Sequence, residues 1–302
     1  MKLTITKDIN DANLITHAGT FHADDVLATA FLTKIIDNPV LYRINNYSND
    51  IKTDAIVYDI GGGEFDHHQI NAKVREENFK YSSIGLLFEK FGEKYIRTLV
   101  DDNIEEIVCE IDKNLIKQID AIDNGIFPYI ECEYNVTLLS DIISLFNPTW
   151  DDKTDRDELF LNAVKLAEFI FDREVNKIIS KIKARDKVIE AIKENDGSIL
   201  YLEEFMPFKD FILESTNPKA LDIKFVIFPS IRGGFTVHTV PTSKLIRDPR
   251  LRFPVSISGL RDEELRNKTG IKTATFVHAD GFIGAAETLE DAFLLANYAL
   301  YN

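Results

Sequence analysis

Read from the N-terminus, apolar and polar positions alternate between two spacings, one that suits strands and one that suits helices. An apolar run over 12–16 leads through a glycine-containing turn into Val26, Leu27, Ala30 and Phe31, which recur at helical spacing. The pattern predicts strand, loop, helix. Extended segments over 40–44 and 55–60 follow, the second running into Gly61-Gly62-Gly63, and helices are predicted over 84–91, 104–122 and 138–145 before Pro148 punctuates the chain. Such alternation predicts an α/β fold on a parallel sheet, with functional loops at the strand ends.

From 156 to 194 the residues Phe160, Val164, Ala167, Phe171, Val175, Ile178 and Ile182 keep an i, i+3/i+4 register. One long helix is predicted there, joining two domains with bounds 1–195 and 196–302. Beyond it the pattern turns to strands over 199–202, 224–228, 235–240 and 275–277, with Arg232-Gly233-Gly234 placed as a hairpin turn and a closing helix over 289–298. The second domain is therefore read as a smaller α/β domain.

With 45% apolar residues, 14 glycines and 9 prolines in 302 residues, low-complexity and collagen-like architectures are excluded. No apolar run is longer than the five residues 292–296, so no membrane span or membrane partner is expected. The polar-interrupted N-terminus offers no signal-peptide core, and a cytoplasmic location is expected. Cys109 and Cys132 fit neither a disulfide framework nor a thiolate zinc site and are read as reduced thiols. The net charge of −15 would repel a polyanion, but it is unevenly spread. Over 224–272, ten basic residues face four acidic ones, a net +6 that suits an anionic strand. Arg232, Arg250, Arg252 and Arg261 are its candidate contacts, although solvated strand faces explain the same charges about as well.

Four of the six histidines, His17, His22, His67 and His68, fall within the first 68 residues, near aspartates or strand ends. The stretch from Thr16 to Asp25 runs off a strand into a helix, and Asp24 or Asp25 alone would serve as its N-cap. Asp59 ends an apolar strand, where a carboxylate is costly unless something positive meets it. In extended Asp66-His67-His68 the two rings point opposite ways, so one can ligate a metal while the other faces a substrate. Asp120 and Asp123 lie at a helix end, where carboxylates oppose the dipole and a nearby cation would account for them. Together these segments form an oxygen- and imidazole-rich set without thiolate, suited to two divalent ions, Mn²⁺ first and Mg²⁺ as the alternative.

His17-x4-His22-x-Asp24, Asp59, Asp66-His67-His68 and Asp123, in that order, resemble the motifs of the DHH phosphoesterase superfamily. More specifically, T-H-A-G-T-F-H-A-D-D, D-H-H-Q, D-A-I-D-N-G, N-P-T-W, G-L-R-D-E-E-L and F-V-H-A-D-G-F-I-G, spread over 16–284, resemble the melanocyte-proliferating-gene (MYG) exonuclease family. The resemblance implies a DHH-type catalytic domain and a substrate-binding domain. It also implies that His17 and His22 hold one ion with Asp59 bridging, that Asp24, Asp59, His67 and Asp123 hold the other, and that His68 faces the scissile phosphate. Other DHH enzymes usually carry Asp where His22 stands. In the fourth motif Asp123 is preferred because it borders the loop, with Asp120 in reserve. His278, Gly281 and Gly284 resemble the glycine and histidine element of the substrate domain, where backbone amides and an imidazole can meet a phosphate.

The expected activity is two-metal phosphodiester hydrolysis, stepwise from the 3′ end of single-stranded RNA or short oligonucleotides. The alternatives are a small-molecule phosphatase or phosphodiesterase acting on nucleoside bisphosphates, dinucleotides or pyrophosphate, and a non-catalytic metal-binding regulatory module. Self-association into a homo-oligomer is compatible with the chain.

Overall fold

A computed structural model describes residues 3–48, 53–128, 131, 133–246 and 248–302, so Cys132 and Arg247 lie outside the described residues. The chain divides into two compact units, Met1–Ile179 and Ser180–Asn302. The first contains β1 (Thr4–Ile5), β2 (Leu14–His17), α1 (Ala23–Ile35), β3 (Val40–Ile44), β4 (Ile56–Val57), α2 (Ser83–Ile96), α3 (Ile104–Ile111), α4 (Lys117–Asp123) and α5 (Leu139–Ser144). The long helix α6 (Arg156–Glu194) runs through the division, contributing residues to each unit.

All pairings in the first sheet are parallel, in the order β1-β3-β2-β4. Leu14 and Ile15 of β2 are fully buried, as expected of a strand flanked on both edges in a covered parallel sheet. Helix α1 is buried along nearly its whole length, and Phe31 from it meets Phe88 of α2 and Phe171 of α6 with ring centroids 5.4 and 5.7 Å apart. The register carries the functional consequence. Leu14 pairs with Ile56 and Ile15 with Val57, and the Tyr58 N–H donates to the Ile15 carbonyl at 3.0 Å. Continuing two residues brings Asp59 beside His17 at the C-terminal end of the sheet, where parallel α/β folds place their sites.

Two expectations change here. The strand read over 55–60 is only Ile56–Val57, because Asp59 takes a left-handed backbone with φ 57° and leaves the ladder. The helix read over 104–122 is three pieces, α3, a π-helical turn over Asp112–Ile116, and α4.

The second unit continues with β5 (Ile199–Tyr201), α7 (Lys209–Glu214), α8 (Lys219–Asp222), β6 (Phe225–Pro229), β7 (Phe235–Thr239), α9 (Asp262–Thr269), β8 (Ala274–Val277), β9 (Ile283–Ala286) and α10 (Leu289–Tyr301). Its sheet has the order β5-β6-β7-β9-β8, parallel only between β5 and β6. Alternating residues of β6 feed two cores. Phe225 and Ile227 pack with Leu295 and Ala296 of α10, while Val226 and Phe228 pack with Val188 and Ile192 of α6 and Phe208 beside α7. Strand β9 and helices α7 to α9 go beyond what the apolar pattern predicts. The sequence of β9 is I-G-A-A, too small to read as a strand, and α9 buries only Leu265.

Candidate metal centre

The loop from His17 to His22 joins β2 to α1 and is held from outside. Asn147 clamps Phe21 at both backbone groups: the Phe21 N–H donates to Asn147 Oδ1 at 3.1 Å, and Asn147 Nδ2 donates to the Phe21 carbonyl at 2.8 Å. Arg43, buried over the Phe160 ring, donates from Nη2 to the Gly19 carbonyl at 3.1 Å. Helix α1 starts at Ala23, so Asp24 and Asp25 occupy its first turn rather than the cap expected for one of them. There the helix dipole favours negative charge. Asp25 Oδ1 accepts the His22 N–H at 2.9 Å.

Around this loop the side chains converge. His17 Nδ1 lies 3.0 Å from the Ala18 carbonyl and so donates to it, which leaves Nε2 facing Asp25 Oδ2 at 3.2 Å and Asp59 Oδ2 at 3.1 Å. His67 Nε2 lies 3.2 Å from Asp123 Oδ2 and 3.9 Å from Asp59 Oδ1. Asp66 orients the neighbouring ring. It accepts the Gly62 N–H at 2.7 Å, the His68 N–H at 3.1 Å and His68 Nδ1 at 2.7 Å. Burial works against its charge, yet these bonds hold the Asp66 carboxyl below the ordinary carboxylate range. The His68 ring, 64% exposed, lines the open cavity.

The electrostatics of the cluster favour a cation. Burial, and then the Asp59 charge, push Asp24 up; burial, then Asp24 and Asp59, push Asp123 up; burial pushes Asp25 up. Burial lowers His67 as well. For His17 burial also opposes the charge, but the Asp25 and Asp59 carboxylates facing Nε2 prevail and push the ring up to about 11. Both Asp24 oxygens, Asp25 Oδ2, Asp59 Oδ1 and His67 Nδ1 are buried without a hydrogen-bond partner. Orphaned buried carboxylate oxygens are costly unless a charge meets them. Their donor chemistry, oxygen and imidazole, fits divalent cations. Three groups bring ligand atoms within 4.8 Å of one another: Asp59, His67 and His68; His17, Asp25 and Asp59; His22, Asp24 and Asp123.

His17, His22, Asp24, Asp59, His67, His68 and Asp123 all line one open cavity of about 930 Å³. Asp120 does not join them. It is fully buried, accepting Arg75 Nε and Ser82 Oγ at 2.6 Å each, so the reserve position is a structural anchor. His22 falls with Asp24 and Asp123 rather than with His17 and Asp59. Beyond the residues read from the sequence, the structure adds Asp25, which the sequence marks only as a cap, and Lys80, which lines the cavity and donates to the Gln69 carbonyl at 2.9 Å. No sequence signal marks Lys80. The aspartate pair Asp24-Asp25 was the available signal for Asp25.

In the second unit, His278 and Gly281 share the turn between β8 and β9, where the Gly281 N–H donates to the His278 carbonyl at 2.8 Å. Gly281 has φ 65°, and Gly284 lies within β9 against Leu295 and Phe253, so both glycines have packing roles. Arg252 reaches the same turn, donating to the Asp280 carbonyl at 2.6 Å. Arg250 is spent on the Ala220 and Ile223 carbonyls at 2.6 and 3.1 Å, Arg261 lies by the Phe276 ring, and Arg232 is exposed in the β6–β7 turn. The four arginines thus sit in separate local settings.

The first unit is thus a parallel α/β fold with His and Asp side chains gathered at its strand ends, where their ligand atoms could hold metal ions. The sequence model MYG1_exonuc, described as an uncharacterised protein family (UPF0160), matches residues 13–300, and the chain belongs to that family. It is 31% identical to the MYG1 protein YER156C of Saccharomyces cerevisiae, over 95% of each chain. It is 32% identical to the MYG1 exonuclease of Rattus norvegicus, covering 94% of this chain and 84% of the relative. With the MYG1 exonuclease of Homo sapiens it shares 31% identity, covering 94% and 85%. Among the described residues, no helix is long and apolar enough to cross a membrane.

Proposed function

We propose that this protein is a phosphodiester hydrolase working with two divalent ions, Mn²⁺ first, and that it shortens single-stranded RNA from the 3′ end. The observation that carries the reading is the cluster of orphaned buried carboxylate oxygens with Asp59 common to two ligand groups at the floor of an open cavity. Relatives named exonuclease support the substrate class.

His17, Asp24, Asp59, His67 and Asp123 would hold the ions, with His22 or Asp25 completing the set. Bound there, divalent ions supply neutralisation of phosphoryl charge and acidify a coordinated water. The protein's own groups do the rest. Asp66 fixes the His68 ring through Nδ1, leaving Nε2 for a phosphate oxygen. Lys80, its amino group drawn to the His67 and Gln69 carbonyls, adds positive charge on the cavity wall. The exposed ring of His68 and the breadth of the cavity suit a polymer end entering from solvent.

The test is hydrolysis of a 5′-labelled single-stranded RNA with Mn²⁺, run beside Asp59→Asn. Asparagine tolerates the left-handed backbone at this position, so the fold is expected to survive. A metal-dependent ladder shortening from the 3′ end, with the variant slower by at least about 100-fold, is expected. Intact RNA in conditions where the protein hydrolyses a dinucleotide or nucleoside bisphosphate would overturn the polymer reading in favour of a small phosphoester.

A further inference from the structure

Asp25 lies in the first turn of α1, fully buried, and its two oxygens have different surroundings. Oδ1 accepts the His22 N–H, which closes the start of the helix. Oδ2 has no hydrogen-bond partner and faces His17 Nε2 at 3.2 Å. The other nitrogen of that ring donates to the Ala18 carbonyl, so in the neutral ring the Nε2 lone pair points at Asp25 and Asp59. With the Nε2 proton displaced, three electron-pair donors converge there, a set that suits a cation in the proton's place.

His22, which the family resemblance puts beside His17, is placed differently. Its ring is exposed, its centroid lies 6.2 Å from that of His17, and its ligand atoms group with Asp24 and Asp123. We infer that Asp25, and not His22, completes the ligand set of the ion held by His17 and Asp59, giving one imidazole and two carboxylates. This rests on the two-ion reading above. The placement of Asp25 is braced: the Thr29 hydroxyl donates to the Asp25 carbonyl at 2.7 Å and so accepts from the Tyr58 hydroxyl at 2.6 Å. The residue before Asp59 and the turn bearing Asp25 are thereby tied together.

The experiment counts Mn²⁺ bound per chain by calorimetry and by the spectrum of free Mn²⁺ in electron paramagnetic resonance. Circular dichroism checks each fold. Asp25→Asn keeps an oxygen for the helix cap and removes the carboxylate charge; Asp25→Ser, another first-turn acceptor, is the second variant should the first not fold. The wild type is expected to bind two ions, and either Asp25 variant to lose one or to hold it at least 10-fold more weakly. Because His17→Ala should remove the same ion, Asp25→Asn/His17→Ala should still bind one, whereas Asp25→Asn/His22→Ala should bind none.

Two ions held by both Asp25 variants with wild-type affinity would overturn the inference and leave the two-ion reading standing. So would an Asp25→Asn/His17→Ala chain that binds none. A wild type that binds no Mn²⁺ would overturn both together.

Discussion

Asn147 is not itself a candidate ligand, yet it holds both backbone groups of Phe21, one residue before His22. Truncating it to alanine leaves that N–H and that carbonyl without partners, at a cost of about 1–3 kcal/mol in stability. Loosening the loop between His17 and His22 should also lower activity by roughly 10–100-fold, the range for groups that orient ligands. Urea unfolding together with the RNA assay checks both effects, and Asn147→Asp, which keeps only the acceptor, should fall between alanine and wild type. The N-P-T-W motif flagged this residue in the sequence, but a side-chain clamp on a distant backbone has no spacing signature that could reveal its purpose. By contrast, His17 and Asp59 were legible, because each ends an apolar run and the parallel register makes them neighbours. Asp25 was less so, since an aspartate at a helix start already has an ordinary explanation.

At the level of elements, the helix carrying Asp123 is fixed from the segment that carries His67 and His68. Arg75 reaches Asp120 through Nε at 2.6 Å and Asp112 through both terminal nitrogens at 2.7 and 2.8 Å. Asn124 Nδ2 donates to the Lys80 carbonyl at 3.0 Å. Gly85 makes room, for a Cβ there would overlap the Asp120 carboxylate. Burial pushes Asp120 up to about 6 against the pull of Arg75, so removing the guanidinium leaves a buried acid with Ser82 alone. Arg75→Met should destabilise the protein by about 3–5 kcal/mol in chemical denaturation. Arg75→Met/Asp120→Asn should recover part of that loss. The existence of these helices was readable from apolar spacing, whereas the π-helical turn between α3 and α4 was not, because five residues barely disturb a helical pattern. Helices α7 to α9 escaped for the opposite reason: they are short, and α9 in particular is polar.

Across the whole molecule, the candidate ligands belong to a single unit, since all of them lie between His17 and Asp123 and the first unit extends to Ile179. Divalent metal should therefore protect only part of the chain. At 100 times its dissociation constant an ion adds about 2.7 kcal/mol to the state that binds it. Hydrogen exchange with and without Mn²⁺ should show slowing in β2, the start of α1, the 57–68 segment and α4, and no change in β5 to β9. Uniform slowing of both units would contradict this. The change of pattern after the long helix puts a domain boundary at 195/196 in the sequence, whereas the compact units part inside that helix, between Ile179 and Ser180.

That chain order has a consequence for biogenesis. Translation delivers the first unit, with each of its candidate ligands, before any strand of the second sheet has been made. At roughly 5–20 residues per second, synthesis of the remainder takes on the order of 10 s. During that interval the apolar stripe of Ala184, Val188 and Ile192, whose packing partners include Leu200, Phe208 and Val226, is still unwritten or uncovered. The proposed ion site can thus form on the ribosome while the end of α6 waits for the sheet that will shelter it.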